Sequence, residues 1–348
     1  MRNTILGRVV AGLALATAAL GAAAPAQAQQ VNLEAAFDSA LGTELRTPQD
    51  FSARYDSALA QKIAAIADGS QGRIGVAAID LVTGEEVSIL GDQRFPMAST
   101  SKIAIAATFL EGVDQGRWSL SSEFPLMLPV PSKPFSSAVA PVRRGEYMSA
   151  LQLIDLMITR SSNPATDAML AAVGGPAAVN DWARRAGIEN FNLTRDIATL
   201  VRDDGEINPA ARIDVRDSAT PRDMVRLLAG LYQGRWLSAT SRNVIIGAME
   251  RCRTGTRRIP AMLPGDVTVA HKTGSLNNTS SDIGIITGPD GHAIALAIYV
   301  TGQGTRLNRE ARIATIARAL YDGYGQSRQY ANARYGPAAS TGAAVTAN

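Results

Sequence analysis

The sequence has one cysteine, Cys252, and two histidines, His271 and His292, among 348 residues. A single cysteine excludes an intramolecular disulfide and any metal site built from several cysteines. Two histidines leave little for a histidine-based zinc site or for a Ser/His/Asp triad. We therefore expect chemistry that needs neither a metal nor a cofactor and that other side chains carry out.

Aromatic residues are also scarce, at 5%, and the formal net charge is only +3, with arginines spread along the chain. A protein without aromatic stacking platforms or a basic cluster is a poor candidate for binding nucleic acid. The hydrophobic fraction of 46%, without blocks of like charge, indicates a folded chain of one or two domains. Nothing in the pattern suggests more than a monomer.

The N-terminus has the features of a signal peptide. Arg2 and Arg8 precede an apolar stretch over residues 9–24, and Ala26-Gln27-Ala28 follows. A basic start, a short apolar stretch and a small-x-small motif predict cleavage after that motif and export to the periplasm or the medium. The alternative is a membrane anchor, but the stretch is alanine-rich and shorter than the ~20 strongly apolar residues that a spanning helix needs.

The hydrophobic pattern predicts strands near both ends of the chain and helices between them. A hairpin is expected over residues 73–90, three strands over 266–300, and helices that include 146–160 and a closing one at 308–321. This order implies a sheet completed by distant segments, with a helical subdomain inserted. The predicted boundaries are a signal peptide, 1–28; a lead-in, 29–50; a folded domain, 51–324, with sheet parts at about 51–95 and 259–324 and a helical part at about 96–258; and a flexible tail, 325–348.

A Ser-x-x-Lys motif, Ser99 to Lys102, opens an apolar helix. Residues one turn apart lie on the same face of a helix, so the lysine can reach the serine hydroxyl. A serine is a weak nucleophile until a base removes its proton, and a lysine serves as that base when burial and neighbouring cations lower its pKa. The alternative is a capped helix with a surface lysine, which the spacing alone does not exclude.

Two further polar motifs follow. Ser161-Ser162-Asn163 lies between two predicted helices, where its side chains can face a cleft or cap a helix. Lys272-Thr273-Gly274-Ser275 ends a predicted strand, and its glycine allows a ligand to approach the backbone. Because side chains alternate along a strand, His271 is expected to point away from the face that carries Lys272.

The order Ser-x-x-Lys, Ser-x-Asn, Lys-Thr-Gly is a signature of class A β-lactamases and penicillin-binding proteins. Over residues 51–324 the chain resembles a class A β-lactamase, and residues 95–102, Phe-Pro-Met-Ala-Ser-Thr-Ser-Lys, are similar to that family's nucleophile segment. Residues 216–221, Arg-Asp-Ser-Ala-Thr-Pro, are similar to the end of its omega loop. The resemblance implies an α/β (α+β) fold of the serine β-lactamase/transpeptidase type, with an antiparallel sheet flanked by helices and an inserted all-helical subdomain.

The resemblance also implies a small-molecule β-lactam substrate and roles for the motif residues. Ser99 attacks the lactam carbonyl, and Lys102 takes its proton either directly or through a water and the deacylating carboxylate; both alternatives stay open. Backbone N–H groups of Ser99 and Ser275 stabilise the oxyanion, and Ser161 passes a proton to the departing nitrogen. Lys272 attracts the substrate carboxylate, and the implied substrate-binding residues are Asn163, Thr273, Gly274, Ser275 and Arg258.

The residues for hydrolysis of the acyl-enzyme depart from the family pattern Arg-x-Glu-x-Glu-Leu-Asn. Counting back without gaps from Asp217 places residues 202–208, Arg-Asp-Asp-Gly-Glu-Ile-Asn, in the omega loop. Asp204 then stands in place of the deacylating glutamate, and because it is one methylene shorter, we expect slow deacylation. Glu206 is the alternative base, Asn208 is expected to hold the hydrolytic water, and Arg202 is expected to pair with Asp217 and brace the loop.

A second departure is Asp167, where the family usually has an asparagine that supports this loop. Two carboxylates close together would either raise one pKa or push the loop open, and the sequence leaves both alternatives. Cys252, upstream of the Lys-Thr-Gly strand, is predicted to be a small buried residue, with a position near the cleft as the alternative.

Three functions are compatible with these motifs. The first is an exported serine β-lactamase that works through an acyl-enzyme on Ser99, with slow release. The second is a penicillin-binding or D-Ala-D-Ala carboxypeptidase-like enzyme whose acyl-enzyme persists, which Asp204 favours. The third is a binding protein of the same fold without catalysis, which the presence of Ser99, Lys102, Ser161 and Lys272 disfavours.

Overall fold

The computed structural model describes the backbone of residues 57–335 and the side chains of residues 57–326. The predicted signal peptide and lead-in, residues 1–50, lie outside the described residues, as do residues 336–348. Within the described part of the chain, no helix is both long and apolar enough to cross a membrane.

The strands are β1 Ile74–Asp80, β2 Glu86–Ile89, β3 Phe95–Pro96, β4 Glu123–Pro129, β5 Val142–Ser149, β6 Ser218–Ala219, β7 Thr268–Leu276, β8 Thr279–Thr287 and β9 Ala293–Thr301. Five of them form an antiparallel sheet in the order β2-β1-β9-β8-β7. The predicted hairpin is β1 and β2, and the three predicted late strands are β7, β8 and β9. Because β1 pairs with β9, distant parts of the chain complete one sheet, as the sequence predicts.

The helices are α1 Ala58–Ile66, α2 Lys102–Asp114, α3 Ala150–Thr159, α4 Asn163–Val173, α5 Pro176–Arg185, α6 Ile197–Arg202, α7 Pro221–Gln233, α8 Ala239–Glu250 and α9 Arg306–Tyr335, with 3₁₀ helices at Ala98–Ser101 and Ile259–Met262. Their ends follow capping residues. The Thr220 side chain accepts the N–H of Asp223 at the start of α7, and α4 ends at Gly174, whose φ of 99° suits a residue without a Cβ.

The sheet separates two apolar layers, and the alternation of side chains along β9 shows how. Its larger aliphatic residues pack against α1 and α9, while its alanines and Tyr299 face the helical region between β3 and β7. Small residues on that second face let α7 approach the sheet closely. The residues of β9 in the first layer are Ile294, Leu296, Ile298 and Val300, and those in the second are Ala293, Ala295, Ala297 and Tyr299.

Two predicted boundaries are corrected by the structure. Residues 142–149 form β5, which pairs with β4 in a hairpin, so the predicted helix over 146–160 begins only at Ala150, where Ser149 caps it. The helical region is therefore not all-helical. The closing helix α9 continues to Tyr335, so residues 325–335 of the predicted flexible tail are helical.

Candidate active site

Ser99 lies in a tight turn at the start of α2. The 3₁₀ helix Ala98–Ser101 continues directly into α2, which places Lys102 one turn after Ser99. Ala98 has a φ of 49°, in the left-handed region that residues with a Cβ rarely adopt. Strained backbone of this kind is concentrated at functional sites, where the surrounding structure holds it in place.

The Lys102 side chain is completely buried, and three oxygen atoms surround its ammonium group. Nζ donates to the Ser161 carbonyl oxygen at 2.8 Å, to Asn163 Oδ1 at 2.8 Å and to Ser161 Oγ at 3.2 Å. Burial lowers the pKa of Lys102 well below its usual range, the charge of Lys272 lowers it further, and Asp167 opposes the shift. A buried lysine that loses its proton readily is suited to accept the proton of Ser99.

Ser161 stands between two lysines. Its φ of 56° turns the chain between α3 and α4 and brings the hydroxyl into the site. Lys272 Nζ donates to Ser161 Oγ at 3.0 Å, in addition to the contact of this hydroxyl with Lys102 at 3.2 Å. Burial lowers the pKa of Lys272 to about 8, although the charges of Cys252 and Asp282 raise it. A hydroxyl that contacts both amines is placed to relay a proton.

β7 forms the other wall of the site. Gly274 is required here because a Cβ would stand 2.8 Å from the carbonyl oxygen of Met97, beside the turn that carries Ser99. Arg258 is 1% exposed and donates to Gly274 O at 2.8 Å and to Ser275 Oγ at 2.7 Å. The structure thus places Arg258, Thr273, Gly274 and Ser275 on this wall. They lie next to the motif cluster, in which Lys102, Ser161, Asn163 and Lys272 contact one another and Ser99 lies one turn before Lys102.

The segment from Thr194 to Asp217, called the 194–217 loop below, differs from the prediction. Asp217 pairs with Arg195, whose Nε lies 2.7 Å from Oδ2, and its Oδ1 accepts the N–H of Thr194 at 2.7 Å. Arg202 pairs instead with the adjacent Asp203 at 2.7 Å. The predicted pair of Arg202 with Asp217 is therefore wrong, and an arginine near the start of the loop closes it.

The carboxylates and the amide in the middle of this loop bind partners outside the motif cluster. Burial raises the pKa of Asp204, and the N–H of Asn277 opposes the shift. Among the described residues, no hydrogen bond or ion pair joins these side chains to Ser99 or Lys102. Asp203 accepts the N–H of Phe135 at 3.0 Å, Asp204 that of Asn277 at 2.8 Å, Glu206 pairs with Arg216 at 2.8 Å, and Asn208 accepts from the Asn278 side chain at 2.9 Å.

Asp167 lies beneath the N-terminus of α6. Its two carboxylate oxygens accept the N–H groups of Ile197 at 2.7 Å and Ala198 at 2.9 Å, one each, whereas an asparagine would offer one oxygen to both. Burial raises the pKa of Asp167 to about 6, with a further contribution from the charge of Asp196, although the two N–H groups oppose the shift. The neighbouring carboxylate is thus Asp196, the cap of α6, rather than Asp204, and the loop stays attached.

The sequence prediction assigned no site role to Thr254, although Thr254-Gly255 fitted the family resemblance, and it passed over Arg195. Thr254 Oγ1 lies 2.7 Å from Thr273 Oγ1, and Gly255 lets this segment pack there, because a Cβ at Gly255 would stand 2.3 Å from Thr273 Cγ2. The Thr-Gly dipeptide was an available signal for this contact. The sequence offered no such signal for Arg195, because counting back from Asp217 without gaps assigns the arginine position of the loop to Arg202.

Comparisons with known proteins agree with this geometry. The model of the β-lactamase enzyme family matches residues 58–324. β-Lactamase Toho-2 of Escherichia coli is 33% identical over 274 residues, covering 77% of this chain and 89% of its own. The extended-spectrum β-lactamase PER-1 of Pseudomonas aeruginosa is 29% identical over 276 residues, covering 76% of this chain and 86% of its own.

Solved structures show the same relationship. A variant of the last common ancestor of Gram-negative class A β-lactamases is 34% identical, with a TM-score of 0.67, and aligns with 78% of this chain and 100% of its own. A β-lactamase from Chitinophaga pinensis is 27% identical, with a TM-score of 0.67, and aligns with 77% of this chain and 100% of its own.

The fold and the site define a class A serine β-lactamase architecture, as the motifs predict. The chain belongs to the β-lactamase enzyme family, and it is an enzyme of that family. The resemblance stated from the sequence is confirmed.

Proposed function

We propose that this protein hydrolyses β-lactams through an acyl-enzyme on Ser99. The observation that carries the proposal is the convergence of two buried lysines on Ser161, beside the turn that presents Ser99. Neutral Lys102 takes the proton of Ser99 as Oγ attacks the lactam carbonyl carbon. The carbonyl carbon to nitrogen bond then breaks, and Ser161 passes a proton to the departing nitrogen.

The substrate carboxylate is bound at the β7 wall. Lys272 is charged below pH about 8, and Arg258 brings a second cation beneath Ser275. Thr273 and Ser275 present hydroxyl groups at the same place, while Asn163, which accepts from Lys102, offers its amide to the substrate side chain. The backbone N–H groups of Ser99 and Ser275 are the proposed oxyanion donors.

Release of the acyl group is slow in this proposal. Hydrolysis needs a carboxylate that activates water, but Asp203, Asp204 and Glu206 are each bound to another partner. Asp167, whose charge reaches Lys102, has both oxygens occupied by backbone N–H groups. The same observation favours a second candidate function, a penicillin-binding enzyme of D-Ala-D-Ala carboxypeptidase type whose lactam adduct persists.

The enzyme is proposed to act as an exported monomer on a small-molecule substrate. Support comes from the sequence of residues 1–28, with a basic start, an apolar stretch and an Ala-Gln-Ala motif. The N-terminal sequence of protein recovered from the periplasm of an expressing cell tests this, and a chain that still begins at Met1 would contradict it.

The central experiment is a time course of intact protein mass after mixing residues 29–348 with a penicillin. An adduct that forms in wild-type protein but not in Ser99→Ala, and clears over minutes with penicilloate appearing, supports the lactamase. An adduct that persists for hours, together with cleavage of a D-Ala-D-Ala peptide, favours the second candidate. Clearance within about a second contradicts slow release, and the absence of a Ser99-dependent adduct contradicts acylation.

A further inference from the structure

The start of α6, in the 194–217 loop, lies beside the motif cluster. Asn163 and Asp167 are four residues apart on α4, so their side chains lie on the same face of that helix. Asn163 Oδ1 accepts from Lys102 Nζ at 2.8 Å, and one turn further along α4 Asp167 Oδ1 accepts the N–H of Ile197 at 2.7 Å. This face of α4 therefore holds the first residue of α6 close to Lys102.

A cavity of about 290 Å³ lies between α4, α6 and the end of β4. Asn163 and Ile197 both line it, and most of its other walls are apolar, as at Val130 and Val201. Among the described residues that line this cavity, Asp167 is the single carboxylate, and its two oxygens accept backbone N–H groups of α6. The cavity next to Asn163 therefore has a carboxylate that is already occupied.

Ile197 occupies the position on α6 that faces this cavity. The residue is only 2% exposed, yet it belongs to neither of the two apolar layers that flank the sheet. The register of the loop gives independent support. Because Arg195 is the arginine that pairs with Asp217, the pattern Arg-x-Glu counted from Arg195 places its glutamate at residue 197. An isoleucine therefore stands where the loop would present a carboxylate to the site.

The chemistry of release shows why this position matters. Water attacks the carbonyl carbon of the Ser99 ester while a base takes its proton, and the bond from that carbon to Oγ breaks as Oγ regains a proton. A positioned base accelerates such a step by ~100-fold to ~10,000-fold. The side chain of Ile197 cannot take a proton.

We propose that Ile197 makes release of the acyl group slow, because it puts an apolar side chain at the position from which α6 would activate the hydrolytic water. The inference rests on the proposed acylation of Ser99. It assigns the slow step to residue 197 rather than to the short reach of Asp204, whose carboxylate accepts the N–H of Asn277. A carboxylate introduced at residue 197 should therefore speed hydrolysis.

The test is the decay of the penicillin adduct, followed by intact protein mass after free penicillin is removed. Ile197→Glu introduces a carboxylate, and Ile197→Gln is the matched variant of the same length that cannot act as the base. We expect the adduct of Ile197→Glu to clear about 100-fold faster than that of Ile197→Gln. Val82→Glu adds the same charge on the exposed turn between β1 and β2, and it should decay at the wild-type rate. Equal decay of the two variants at residue 197 overturns the proposal.

The pH dependence of decay separates a base from a structural effect. The charged groups around residue 197 are Asp167 on α4, Lys102 on α2, and Asp196 and Arg202 at the two ends of α6. These groups are common to both variants. Decay in Ile197→Glu should fall about tenfold per pH unit below the pKa of the introduced carboxylate, because its protonated form is not a base. The same pH profile in Ile197→Gln contradicts proton transfer to that carboxylate.

The wild-type adduct supplies a second test, which does not depend on the folding of a variant with a buried glutamate. Hydroxylamine is a stronger nucleophile than water and attacks esters without a base. It should cleave the wild-type adduct to a hydroxamate at a rate proportional to its concentration, because the ester is accessible and only the activation of water is missing. An adduct that resists hydroxylamine overturns the proposal, since slow release would then come from shielding of the ester.

These outcomes are distinct from failure of the proposed function. If wild-type protein forms no adduct that depends on Ser99, acylation itself fails. If the adduct forms but Ile197→Glu and Ile197→Gln release it equally, acylation stands and the role of residue 197 fails.

Discussion

The motif cluster and the 194–217 loop both carry residues that the motifs marked as functional. In the cluster, Lys102, Ser161 and Lys272 contact one another, whereas the pair predicted in the loop does not form. Ser99 and Lys102 sit at one helix start, and Ser161 follows another helix directly. Their spacing is fixed by regular backbone geometry. Between Thr194 and Asp217 the loop contains one short helix, α6. The partners of the loop side chains therefore depend on the path of the irregular backbone. Residue spacing therefore determines geometry within helices and strands but not across a loop.

Among the variants considered, removal of the Lys102 amine is expected to have the largest effect on the rate of acylation. Lys102→Met keeps the volume of the buried side chain but leaves Ser99 without a base, so we expect acylation to slow about 1,000-fold. Stopped-flow measurement with a chromogenic cephalosporin checks this. Lys62→Met is the matched control, since Lys62 is exposed on α1 and should leave the rate unchanged. A loss of less than about tenfold would show that another group takes the proton.

The ion pair that closes the 194–217 loop offers a direct test of the corrected partner. In a double-mutant cycle, Arg195→Ala and Asp217→Asn should couple by about 2 kcal/mol in the free energy of unfolding, because the pair is largely buried. Arg202→Ala and Asp217→Asn should add without coupling, since Arg202 bonds to Asp203. Urea denaturation of each variant supplies the values. If Arg202 coupled to Asp217 and Arg195 did not, the pair predicted from the sequence would be supported.

The pH dependence of acylation tests Lys272, which belongs to the motif cluster and not to the loop. Because burial lowers its pKa to about 8, the ammonium loses its proton as the pH rises through about 8, whereas an ordinary lysine stays charged. For a lactam with a free carboxylate, acylation should fall about tenfold per pH unit above that value. Lys272→Arg should shift the fall to higher pH because arginine remains charged. If the acylation rate falls in the same way for the ester of that lactam, which has no free carboxylate, the titrating group is not Lys272.

The smallest effect is expected at Asp204. Its Oδ2 accepts the N–H of Asn277, so Asp204→Asn should change the rate of deacylation by less than about threefold, and so should the matched Glu206→Gln. Single-turnover decay of the penicillin adduct measures both. A loss of about 100-fold in Asp204→Asn alone would show that Asp204 activates the water after all.

Secondary structure shows the same limit of sequence reasoning. The alternating strands of the sheet and the cap at Thr220 were predictable because each depends on neighbours in sequence. The secondary structure of residues 146–149 was not predictable, because a short segment of mixed apolar and polar residues fits a helix or a strand until its pairing strand is known. That partner is β4, which pairs with β5.

The sequence by itself determined the family and a sheet completed by segments from both ends of the chain, and it marked the residues that meet around Ser161. It did so because those residues lie in motifs whose spacing matches a helical turn or a strand. Only the tertiary structure decided that Arg195 rather than Arg202 binds Asp217, and that Asp167 holds the start of α6. These two contacts join residues that are 22 and 30 positions apart in the chain, so the path of the backbone between them, which residue spacing does not fix, decides which groups meet.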